Sequence, residues 1–121
     1  MRNNSGEDMS NIRIRKATGT WVVRSGGAVL GETTRALELD EDGYEPVIYF
    51  PREDIATALL DPSAKTTHCP HKGDATYYSI VNKSSVSENA VWSYEAPNED
   101  LAEIKGYLAF HVSDSVKVEQ I

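Results

Sequence analysis

The chain has 121 residues and a mass of 13.4 kDa, enough for one core that buries roughly two thirds of the surface its unfolded form exposes. Twelve Lys and Arg against nineteen Asp and Glu give a formal charge of -7 and a pI near 4.9, which repels phosphate backbones and anionic lipid and so excludes nucleic acid and membrane surfaces as expected partners. A single cysteine cannot form an intrachain bridge, residues 1–10 have no apolar signal core, and no run reaches the ~18 apolar residues of a membrane span; together these point to the cytoplasm.

Residues 1–10 (MRNNSGEDMS) are polar and small and read as a flexible tail, with a single domain expected over 11–121. Ile12 and Ile14 alternate with Arg13 and Arg15, then Trp21-Val22-Val23 and Ala28-Val29-Leu30 flank Gly26-Gly27 as a hairpin would. A short alternating run over 35–39 closes at Asp40-Glu41-Asp42-Gly43, and Val47-Ile48-Tyr49-Phe50 reads as an interior strand. At Pro51 the period changes: proline in a first turn, followed by Glu53 and Asp54 where the helix dipole favours acids, predicts one short helix over 51–60 that ends at Asp61-Pro62. Strands are expected over 76–81 and 90–94, joined by a polar loop over 82–89. A helical turn over 98–104 and strands over 107–111 and 115–120 complete a mainly β chain of many short strands.

Chemistry-bearing residues concentrate in Thr66-Thr67-His68-Cys69-Pro70-His71-Lys72-Gly73. Structural zinc needs four ligands, commonly in paired knuckles, and the chain offers no second cysteine and only His111 as a distant imidazole, so no metal is expected. Cys69 lies near Lys72 and between His68 and His71, and nearby cations activate thiols; it is the one candidate catalytic residue. Sequence neighbours seldom meet along an extended backbone, however, and a Cys-His pair needs a third group to orient it. The acids at 38–43 imitate half an EF-hand loop, but Tyr49 stands where the bidentate Glu belongs. A pocket walled by Tyr49, Tyr77, Trp92 and Tyr94, with Lys72 as anchor and Arg24 as a second candidate anchor, suits a small molecule, since these aromatics combine apolar area with directed polar tips. An ordinary aromatic core would show the same composition, and Lys72-Gly73, where backbone amides could approach an anion, favours the pocket.

Tyr49-Phe50-Pro51-Arg52-Glu53-Asp54, Thr67-His68-Cys69-Pro70-His71-Lys72-Gly73-Asp74, Ala90-Val91-Trp92-Ser93-Tyr94-Glu95-Ala96-Pro97 and Ile104-Lys105-Gly106-Tyr107-Leu108-Ala109-Phe110 closely resemble a bacterial family known as domain of unknown function 427, from about Ile12 to the C-terminus. The resemblance implies a fold similar to the β-tent: two antiparallel sheets meeting at an angle, as in methionine sulfoxide reductase B, cereblon's ligand-binding domain and small zinc-binding chaperones. Those relatives usually carry two CxxC knuckles, which this chain lacks, so their zinc role does not carry over. The expectation is therefore a mainly β, β-tent-like pair of antiparallel sheets with one short helix near 51–60. Its function would be to bind a small polar or anionic molecule through Tyr49, Lys72, Tyr77, Trp92 and Tyr94, without a cofactor. Two rivals stand beside it: a redox or acyl-transfer enzyme using Cys69, and a protein-interaction module or homo-oligomer without a small ligand.

Overall fold

A computed structural model describes residues 11–83 and 85–121; the expected tail over 1–10 lies outside the described residues. The chain is mainly β, as expected. Ten strands follow in order: β1 (Ile12–Lys16), β2 (Trp21–Ser25), β3 (Ala28–Thr33), β4 (Leu37–Glu41), β5 (Val47–Tyr49), β6 (Leu60–Cys69), β7 (Gly73–Val81), β8 (Val86–Tyr94), β9 (Ala109–Phe110) and β10 (Val116–Gln120). All pairings are antiparallel, and hydrogen bonding divides them into three sheets, β1-β4-β5, β10-β2-β3 and β6-β7-β8-β9, where two sheets were expected. Two single bridges lie outside these ladders: Phe50 with Leu108, between the end of β5 and the approach to β9, and Gly31 of β3 with Ile55. Pro51 follows Phe50 and has no N–H to extend the first bridge into a ladder.

The helix expected over 51–60 is instead two isolated 3-10 turns, Arg52–Asp54 and Thr57–Leu59. Between them Ile55 takes an extended conformation to bridge Gly31, which breaks the helical run despite its favourable start. Arg52 secures the first turn by donating through Nε to the Gly106 carbonyl (3.0 Å) and through Nη2 to Glu95 (3.0 Å), while its guanidinium lies 5.6 Å from the Tyr78 ring centre. β6 forms over a stretch where no strand was expected. Pro62 is tolerated because β6 is an edge strand and its ladder is bulged between Pro62 and Thr66. Thr66 to Cys69 belong to this strand, so the β6–β7 turn is Pro70, His71 and Lys72, and β8 starts at Val86 rather than 90. A 3-10 segment at Glu99–Ile104 matches the expected helical turn. Among the described residues no helix is long and apolar enough to cross a membrane.

Alternating side chains feed two hydrophobic clusters. One gathers Val23, Leu30, Phe50, Ile80, Val91, Leu108, Phe110 and Val116; the other gathers Leu39, Tyr49, Ala75, Tyr77, Tyr94, Leu101, Ile104 and Ala109. Period-2 alternation explains the division, since Tyr49 and Phe50, or Ala109 and Phe110, point to opposite faces. The second cluster opens to a cavity at its edge.

Candidate functional site

That cavity has a volume of about 600 Å³ and is walled by the end of β4 (Leu39, Glu41), by Val47 and Tyr49 of β5, by the β6–β7 turn and by Tyr77, Trp92 and Tyr94. Tyr49, Lys72, Tyr77, Trp92 and Tyr94 line it, and so does Cys69, whereas the second candidate anchor, Arg24, pairs with Glu119 across β2 and β10 and does not. Strand alternation brings Trp92 and Tyr94 to the same face of β8, and the pairing of Tyr77 with Trp92 sets the β7 aromatic beside them. The turn that carries Lys72 is pinned from outside: Asn98 donates from its backbone N–H to the Lys72 carbonyl (3.0 Å) and from Nδ2 to the Pro70 carbonyl (3.0 Å). Gly73, at φ +111°, re-enters the sheet in a conformation that L side chains avoid.

Aromatic packing is directed by hydrogen bonds. Trp92 Nε1 donates to the Tyr49 hydroxyl (3.2 Å), with the two rings edge to face at 6.4 Å. The Tyr77 hydroxyl is 3.1 Å from Thr67 Oγ1, and Lys65 Nζ stands 4.7 Å from the Tyr77 ring centre. Tyr94, only 6% exposed, makes no hydrogen bond through its hydroxyl among the described residues. Burial raises the Tyr49 phenol to about 12, and burial together with the neighbouring Tyr49 raises that of Tyr94. Both therefore remain protonated donors at physiological pH.

Glu41 and His111 are among the residues that enter the site without having been expected there. Glu41 accepts from Lys72 Nζ at 2.7 Å, with side-chain exposures of 19% and 15%, so the lysine charge is already compensated. His111 lays its ring 4.4 Å from Trp92 and parallel to Tyr77 at 6.3 Å; desolvation, with Lys65 nearby, lowers its pKa from 6.5. Alternation was the available signal for both: Glu41 stands two residues after buried Leu39, and His111 two after buried Ala109.

The nucleophile arrangement is not assembled. His68, Cys69 and His71 all line the cavity, but His68 Nδ1 pairs with exposed Asp74 at 2.7 Å, while Cys69 is half-buried. Among the described residues neither His68 nor His71 hydrogen-bonds the Cys69 sulfur, and no three His, Cys, Asp or Glu side chains form a metal-holding group. On the far side of Trp92 and Val47 lies a second groove of about 430 Å³, lined also by Trp21, Ile48, Phe110 and Val118.

The model of a family described as "Domain of unknown function (DUF427)" matches residues 13–121. No curated protein matches the chain.

Proposed function

Because the chain belongs to the domain of unknown function 427 family, whose description assigns no reaction, we propose a function from the cavity itself: a cytoplasmic binding domain for a small polar molecule. The observation that carries this reading is the convergence of four large aromatics and an ion pair, from four strands and one pinned turn, on a single cavity of about 600 Å³. That volume suits a small ligand, and apolar walls with a few directed polar groups are what such ligands require. Compensation of Lys72 by Glu41 at 2.7 Å moves the reading away from a simple anion site, since an incoming anion would meet a cation that is already paired.

The cysteine-enzyme alternative has less support, because Cys69 lacks a base in contact among the described residues. A thermal-melting screen over uncharged, anionic and cationic polar compounds tests the binding reading. A ligand at a hundredfold excess over its Kd should add about 2.7 kcal/mol to stability. Loss of the shift in Trp92→Phe and Lys72→Met is the expected companion result; a shift that survives both unchanged comes from another site and sinks the proposal.

A further inference from the structure

Resting on the reading of this cavity as a binding site, we infer that its ligand is an uncharged molecule that presents a carbonyl oxygen to the Tyr94 hydroxyl and a flat body to Trp92. Tyr94 is 94% buried by its 6% exposure, lines the cavity, and has no partner for its hydroxyl among the described residues. Buried polar groups are nearly always paired, and leaving one unpaired costs about 1–3 kcal/mol. Tyr49, 1% exposed, uses its oxygen to accept from Trp92 Nε1, so what it still offers is its O–H. Its hydroxyl proton has no acceptor among the described residues. Burial keeps both phenols protonated. Two neutral donors thus border one space, and the complementary group is an acceptor oxygen.

Charge decides between classes of acceptor. Glu41, Glu45 and Lys72 line the cavity together with His68, His71 and His111; Lys72 is held by Glu41 at 2.7 Å and His68 by Asp74 at 2.7 Å. A carboxylate ligand would face two acids, a compensated ammonium, an imidazole already bonded to Asp74 and, in His111, one whose protonation burial opposes, which leaves His71 alone to set against the two acids. An ammonium ligand would have to displace Lys72 from Glu41, and it would leave the phenol protons without an acceptor. The Tyr77 ring, too, already has a cation beside it, Lys65 at 4.7 Å. A neutral carbonyl compound meets neither obstacle.

Three probes of matched shape separate these classes: benzamide, benzoate and benzylammonium, titrated into the protein while the Trp92 indole N–H is followed by NMR. Benzamide should shift that resonance saturably and bind several-fold more tightly than either charged probe. Tyr94→Phe, which keeps the ring and removes only the hydroxyl, should weaken benzamide by about 3- to 10-fold. Equal or tighter binding of a charged probe, or unchanged benzamide affinity in Tyr94→Phe, overturns the inference while leaving the cavity a binding site. If none of the three moves the resonance, the binding reading falls with it. The ranking of probes on the wild-type protein needs no variant to fold.

Discussion

His111 packs its ring 4.4 Å from Trp92 while Lys65 acts on it through space, and both the lost solvation and the lysine oppose protonation. Its folded pKa therefore lies below the usual 6.5. The sign follows from linkage: the unfolded chain binds this proton more readily, so the native state loses stability as pH falls from about 6.5 toward the lowered value, and the loss is complete below it. Above about 6.5 the residue imposes no penalty. Thermal unfolding followed from pH 7.5 down to about 5 should show a fall in midpoint that His111→Phe reduces. The variant keeps a flat ring against Tyr77 and Trp92, so an unchanged slope would mean that other groups set the acid sensitivity.

At the level of elements, the single bridge between Gly31 of β3 and Ile55 depends on the absence of a side chain. A Cβ built on Gly31 would land on the Asp54 carbonyl oxygen and the Ile55 side chain, and backbone cannot yield as a flexible side chain can. Gly31→Ala should destabilise by about 1–3 kcal/mol in urea unfolding with little change in m; an unmoved midpoint would show that the approach is dispensable. The same region shows where the sequence was legible. Ile12/Ile14 and the Gly26-Gly27 hairpin were readable because alternation and turn chemistry are local. The run over 51–60 was not, because its Pro and acids signal a helix start while the Gly31 partner that extends Ile55 lies far away in sequence. Tyr49, Tyr77, Trp92 and Tyr94 stood out as cavity candidates by their bulk. Glu41 and His111 did not: an acid before a turn looks solvent-facing until the opposing strands are in place, and His111, which stays exposed, meets Tyr77 and Trp92 only across strands.

Across the whole molecule, β2 lies between β3 and β10, so the sheet closes only when the end of the chain returns to its beginning. Arg24 and Glu119, 95 residues apart, pair across that ladder at 3.2 Å, and Val116 is fully buried in the first cluster. Such non-local pairing costs loop-closure entropy before it yields contacts. Ending the chain after Ser115 should remove Val116 from the core, bare the edge of β2 and abolish cooperative unfolding by circular dichroism; a truncated protein with the native melting curve would show that β10 is an accessory strand. One feature joins the two halves of this architecture. Trp92 stands between the aromatic cavity and the second groove, bonded to Tyr49 through its indole N–H and touched by His111, and Trp21 is the only other tryptophan. With Trp21→Phe, the intrinsic fluorescence of the protein comes from one indole at the cavity wall. Its emission then reports occupancy of either space and the charge on His111 without any added dye.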